Sequence, residues 1–157
     1  MATRKVVLVG DEILRKKSKP VKDFDEDLWQ LLDDMKSTMY ANDGMGLAAP
    51  QVGVLRRAIV IDVNNMFVEL INPEIISQEG KDIEKEGCLS VGSFRGRVER
   101  PYKITVKAQD RFGYPFILTG EKWLARCICH ELDHLNGILF IDKCLDKQLY
   151  LKQGGKI

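Results

Sequence analysis

Glu121-Lys122-Trp123-Leu124-Ala125-Arg126-Cys127-Ile128-Cys129-His130-Glu131-Leu132-Asp133-His134-Leu135-Asn136-Gly137 is the stretch whose reading decides how this chain folds. Trp123, Leu124, Ile128, Leu132 and Leu135 recur at helical spacing, and Asn136-Gly137 supplies a stop. The run therefore predicts one long helix starting at Glu121. Just before it the period changes to two. Lys103-Ile104-Thr105-Val106-Lys107-Ala108 alternates as a half-buried strand does. Asp110-Arg111-Phe112-Gly113 reads as a turn, and residues 115–119 as the returning strand.

Further upstream, Ala58-Ile59-Val60-Ile61 reads as a buried strand within a β-rich stretch, residues 55–63. Phe67-Val68-Glu69-Leu70-Ile71 follows, then a break at Asn72-Pro73, then a separate extended piece over residues 74–78. Asp25-Glu26-Asp27 open an earlier helix, with acids placed favourably at its amino end. Leu28, Leu31, Leu32, Met35 and Met39 form its core stripe, and Asn42-Asp43-Gly44 end it. An N-terminal helix, several antiparallel strands and one long C-terminal helix make an α+β fold rather than alternating βαβ units. The sheets are expected to pack around that last helix. Without repeats, low-complexity tracts or a Pro/Gly/Ser linker, residues 1–157 read as a single domain.

The chain's 24 basic and 23 acidic residues give a net charge of +1, so no general field favours nucleic acid or anionic lipid. No apolar run approaches the roughly 20 residues a spanning helix needs. The opening Val6-Val7-Leu8-Val9 breaks at Gly10-Asp11-Glu12 and is too short for a secretory core. The expected compartment is the cytoplasm, or an organelle lumen if a transit peptide has been removed. Cys88, Cys127, Cys129 and Cys144 are expected to stay thiols there. Residues two apart on a helix point to nearly opposite sides, so Cys127 and Cys129 cannot share an ion. Cys127 falls on the His130 side and is expected to line a site. Cys129 and Cys144 read as small buried hydrophobes.

Within the long helix, His130 and His134 lie four residues apart, and four steps of about 100° overshoot a turn by only about 40°. Both imidazoles can face one metal ion. Glu131 sits beside that ion but angled away from its ligands, where a general base for an attacking water belongs. Two histidines leave a tetrahedral ion one protein ligand short. Thermolysin-like proteases take that ligand from a downstream helix, and metzincins from a third histidine. Only 23 residues follow His134 in this 157-residue chain, and it holds no third histidine. The ligand must come from upstream or be water. Glu86-Gly87-Cys88-Leu89-Ser90 offers a thiolate there, a good donor for zinc or ferrous iron. Two His and one Cys would leave a fourth position open for water, the mark of a catalytic site. A third segment, Gly44-Met45-Gly46-Leu47-Ala48-Ala49-Pro50-Gln51-Val52-Gly53, lets backbone approach a ligand closely and carries one amide side chain.

Taken together and in this order, the three segments resemble peptide deformylase. Its signatures are a G-Φ-G-Φ-A-A-x-Q run, an E-G-C-L-S run and an H-E-x-D-H run, matched here by Gly44 to Gln51, Glu86 to Ser90 and His130 to His134. Asp11-Glu12-Ile13-Leu14-Arg15, Asn72-Pro73, Arg95-Gly96 and Arg100-Pro101 extend the likeness, to about Asp142. One departure follows Ser90. The family usually has a proline two residues on, whereas this chain has Gly92, expected to loosen the loop beside Cys88. The carboxyl-terminal helix is expected to be brief or frayed.

The resemblance implies hydrolysis of the formyl group from the initiator methionine of new polypeptides, releasing formate. The implied metal ligands are Cys88, His130 and His134, with Glu131 as general base. Gln51 and the Leu89 backbone N–H would stabilise the developing oxyanion, and the Gly46 backbone would pair with substrate. Arg95 would steer the peptide, and a pocket near Met45, Cys127 and Ile128 would take the methionine side chain. Ferrous iron is implied as the working ion, with zinc, nickel or cobalt able to replace it. The implied partners are N-formyl-methionyl nascent peptides, with transient ribosome proximity but no direct nucleic-acid or membrane binding expected, and the protein is expected to be monomeric. Two rival readings use the same residues: a zinc endopeptidase, for which Cys88 has no purpose, and a closed metal-binding module, for which no fourth protein ligand is evident.

Overall fold

A computed structural model describes residues 2–157. The first helix, α1 (Glu26–Ala41), starts where the acids predict, because the Asp25 carboxylate accepts the Leu28 amide at 3.1 Å. Its stop is built differently from the usual glycine cap. Asp43 (φ 54°) takes the left-handed conformation, and the Gly44 amide closes back on the Met39 carbonyl at 2.9 Å. The chain then forms a short strand, β1 (Gly46–Ala48), a 3-10 turn (Ala49–Val52), and strands β2 (Ala58–Val63) and β3 (Met66–Glu79). Next come β4 (Asp82–Cys88), β5 (Gly92–Arg100), β6 (Lys103–Gln109), β7 (Pro115–Glu121) and the long helix α2 (Trp123–Leu135). Two short helices, α3 (Phe140–Lys143) and α4 (Lys147–Lys152), finish the chain. Among the described residues, no helix is long and apolar enough to cross a membrane.

Five strands form one antiparallel sheet in the order β1-β2-β3-β6-β7, and β4 and β5 pair as a separate ribbon. The sheet lies between the two main helices. Ala58 and Val60 of β2 pack with Leu28, Leu32 and Met35 of α1, while Ile59, Ile61 and Val63 pack with Ala125, Ile128 and Leu135 of α2. A strand covered on both faces needs apolar residues at every step, which explains why this run does not alternate.

Two boundaries differ from the sequence reading. Residues 66–79 form a single strand rather than two pieces, because Asn72 (φ 53°) absorbs the irregularity as a register shift against β6. Its side chain is fixed from outside the sheet, accepting the Val21 amide at 2.8 Å and donating to the Val21 carbonyl at 2.9 Å. Helix α2 starts at Trp123 rather than Glu121. Glu121 is still paired with Lys103 in the sheet, and Lys122 (φ 56°) makes the corner, its amide bonded to the Tyr102 carbonyl.

Candidate metal centre

Helix α2 is buried on nearly every side: residues 125–131 are all buried, Arg126, His130 and Glu131 among them. Polar groups in such a helix need partners within the protein. The 3.6-residue turn brings His130 and His134 to one face, with ring centroids 5.1 Å apart. Cys88 reaches them from the end of β4, where a register shift between Glu86 and Cys88 re-aims the strand. One donor atom each from Cys88, His130 and His134 lies within 4.8 Å of the other two, and Cys88 Sγ is 3.3 Å from His134 Nε2.

This donor set fits a divalent ion. Its borderline-soft sulfur and nitrogen atoms converge from two elements, and each imidazole has a ring nitrogen to spare. His130 Nδ1 is already taken, at 2.8 Å from a Glu86 carboxylate oxygen, which leaves Nε2 for a ligand. Burial, with His130 and Arg100 nearby, keeps His134 well below its ordinary pKa and hence neutral, as a ligand must be. His130 is the opposite case. Burial lowers its pKa, but Glu131, Cys88 and Glu86 outweigh that and hold it well above the ordinary value. Groups that favour a proton there favour a metal cation equally.

Glu86 is the centre of a buried charge network. Arg100 Nε and Nη2 donate to it at 2.9 and 3.0 Å, and Arg126 Nη1 at 2.6 Å. Arg100 Nη1 also donates to Asp133 at 2.6 Å. Burial alone would raise the Glu86 pKa, but His130 and Arg100 hold it far below the carboxylate range. It stays an anion.

Glu131 lies against Gly46 of β1. A Cβ at Gly46 would fall 2.6 Å from Glu131 Oε2 and 3.0 Å from both Glu131 Cγ and Cys127 Sγ, so only glycine leaves the carboxylate its place. Glu131 Oε1 is buried without a hydrogen-bond partner among the described residues, and burial pushes the carboxyl pKa up to about 7. That is the range in which a carboxylate exchanges protons at neutral pH. Gln51 is clamped by the 3-10 turn. Its Oε1 accepts the Ala48 amide at 3.0 Å, which orients Nε2 toward Ser90 Oγ at 3.1 Å and Cys88 Sγ at 3.6 Å.

A cleft of about 350 Å³ opens onto these groups, and Met45, Gly46, Leu89, Arg95 and Cys127 line it. Burial and the Glu131 and Glu86 carboxylates raise the Cys127 pKa well above the usual range, so it remains a thiol. Ile128 requires a correction. It is fully buried in the cluster with Ile59 and Ile61 and does not line the cleft. One step of about 100° from Cys127 turns it to the sheet side of α2. The cleft wall instead holds Trp123 and Arg126, neither of which the apolar pattern picks out. Glu86, Arg100 and Ser90 were also missed as site residues, although Glu86 and Ser90 stand inside the motif that yielded Cys88. At Gly92 the chain has φ 88° with open space around it, a conformation closed to proline, whose φ is locked near −65°.

An antiparallel sheet, a buried H-E-x-x-H helix and a cysteine donor from a β-ribbon define a metal-dependent hydrolase. The family model for polypeptide deformylase matches residues 3–149. The chain belongs to the polypeptide deformylase family. It is 61% identical over 145 residues to a peptide deformylase of Caldicellulosiruptor bescii, covering 92% of this chain and 87% of that one. A peptide deformylase of Thermoanaerobacter pseudethanolicus is 54% identical, with 92% and 91% covered. Among solved structures, the Thermotoga maritima peptide deformylase superposes with a TM-score of 0.90 at 43% identity, covering 92% of this chain and 99% of that one. The Legionella pneumophila enzyme gives 0.88 at 47%, covering 97% and 98%.

Proposed function

We propose that Glu131, Gln51 and Leu89 perform, on an ion held by Cys88, His130 and His134, the reaction of this family. That reaction is the hydrolytic removal of the N-formyl group from the initiator methionine of newly made polypeptides. The observation that carries the assignment is the Glu131 carboxylate, wedged beside Gly46 at the edge of the three-donor cluster.

A divalent ion bound there supplies Lewis-acid polarisation and lowers the pKa of a nearby water. Glu131 takes the proton of the attacking water and passes it to the departing amine. Gln51 Nε2 and the Leu89 backbone N–H donate to the oxygen that becomes negative, at no cost in reorganisation for the clamped amide. Gly46 belongs to β1, the edge strand of the sheet, and pairs with the substrate main chain as an added strand. That mode reads backbone and tolerates varied sequence. Met45, Cys127, Trp123 and the Arg126 stem surround the methionine side chain, and Arg95 steers the peptide at the rim.

Ferrous iron is the working ion, with zinc, nickel and cobalt able to occupy the same donors, since a His₂Cys set suits each of them. On this reading the protein works as a monomer in the cytoplasm, on nascent chains near the ribosome. The test is formate release from a formyl-Met peptide by Glu131→Ala enzyme with bound metal quantified. Activity should all but vanish while the metal is retained, and an unimpaired rate would remove Glu131 from the mechanism.

A further inference from the structure

Arg15-Lys16-Lys17-Ser18-Lys19-Pro20-Val21-Lys22 carries five cationic side chains, a concentration hidden by the overall charge of +1. The segment leaves a 3-10 turn (Glu12–Arg15) and is tied at Lys19 to Arg56-Arg57. Lys19 N donates to the Leu55 carbonyl at 3.0 Å, and Arg57 N to the Lys19 carbonyl at 3.0 Å. Arg15 is paired with Asp142 at 2.6 Å. Among the described residues, the other six cations of the two segments make no salt bridge.

Three of these cations, Lys17, Lys19 and Arg57, line a groove of about 580 Å³ together with Ser18 and Asn136, with Glu74 as the one opposing charge among its lining residues. Arg57 is pinned in place. Its Nη1 donates to the Ser18 and Leu135 carbonyls at 3.4 and 3.1 Å and to Asn136 Oδ1 at 3.1 Å. No carboxylate compensates its charge, and burial alone lowers its pKa. Ser18 also lines the groove, but its side chain is buried and its hydroxyl is closed off from solvent. Among the described residues, Arg57 Nε and Nη2 donate to no acceptor, and the exposed Lys17 and Lys19 flank them.

We propose that this groove binds the phosphodiester backbone of a nucleic acid. Phosphate oxygens are acceptor-only and match the outward donors of Arg57 and the lysine ammonium groups beside it. The cations are spread over residues 16–22 and 56–57 rather than gathered at one position, which suits a chain of phosphates better than a single ion. Such binding reads charge and not sequence. None of the groove residues lines the catalytic cleft, so deformylation and backbone binding can proceed together.

The experiment measures fluorescence anisotropy of a labelled polyuridine oligonucleotide with the metal-loaded enzyme, at about 50 and about 200 mM salt. Three neutralised phosphates on a single strand predict a loss of affinity of about twentyfold between those conditions. Lys17→Ala with Lys19→Ala should weaken binding at least tenfold at low salt and flatten the salt slope. Arg57→Gln should do the same. Turnover of a formyl-Met tripeptide should be unchanged in both, which also reports that they fold. Lys147→Ala with Lys152→Ala, on α4, should bind as wild type. The proposal is overturned by absence of binding at low salt, by a groove variant that binds normally, or by inorganic phosphate binding without oligonucleotide binding.

Discussion

His130 Nδ1 lies 2.8 Å from Glu86, so one side chain of the β-ribbon sets the orientation of an imidazole on α2. The carboxylate fixes the ring's tautomer and leaves Nε2 to face Cys88 and His134. Glu86→Gln keeps the shape but loses the charge, and should weaken metal binding by about 10–100-fold in chelator competition. Glu86→Ala leaves the Arg100 and Arg126 guanidinium groups facing each other without their anion and should cost roughly 3–5 kcal/mol of stability. Wild-type metal affinity in Glu86→Gln would show that the network only supports the fold.

Gly46→Ala tests the packing around the base. The new methyl group collides with the tip and the Cγ of Glu131, so the carboxylate must leave its position. A fall in kcat of at least tenfold is expected with metal content unchanged, since displacements near 1 Å commonly cost about 10². A variant with normal kcat would mean that Glu131 works from elsewhere.

For Gln51→Ala, loss of one oxyanion donor predicts a cut in kcat of about 10²–10³ with little change in KM. Ser90→Ala should cost less, because the Ala48 amide still holds the other end of Gln51. Equal losses in the two variants would point to general damage to the loop.

Acid stability should depend on Asp34, which ties the amino-terminal segment to α1. Burial raises its pKa, but the Ala2 amide, Arg4 and Gln30 outweigh that and hold it below the ordinary carboxylate value. A folded pKa below the unfolded one gives stability that is fully present above the unfolded value, about 3.9, and is lost as pH falls through the folded value. Asp34→Asn should therefore lower Tm at neutral pH and bring it closer to wild type in strong acid. A constant difference in Tm across the range would contradict this.

The parts of this molecule legible in its sequence are those where one physical signal acts alone. The α1 stripe, the alternation of β6 and the i, i+4 histidines each report a single period. The corner at Lys122 carries no such signal, because lysine does not announce a positive φ, and Asn72, a type that does visit it, was read as a break rather than as an irregularity within one strand. Ile128 was misread for a related reason. In a helix buried on all sides, hydrophobicity does not separate the sheet-facing side from the cleft-facing one. Glu86 and Arg100 sit among exposed charges such as Glu84, Lys85 and Glu99, Arg126 stands alone in an apolar run, and only tertiary pairing shows their role. The Cys88 donor was legible because the E-G-C-L-S run offers a thiolate that, with the two histidines, completes a three-ligand site.

Anaerobic metal quantification with formate release, on wild type and Cys88→Ala prepared side by side, tests the three-donor centre most directly. Wild type should hold one divalent ion per chain and release formate from formyl-Met-Ala-Ser, whereas the variant should lose both the ion and the activity. A Cys88→Ala protein that keeps its ion and its rate would contradict the account.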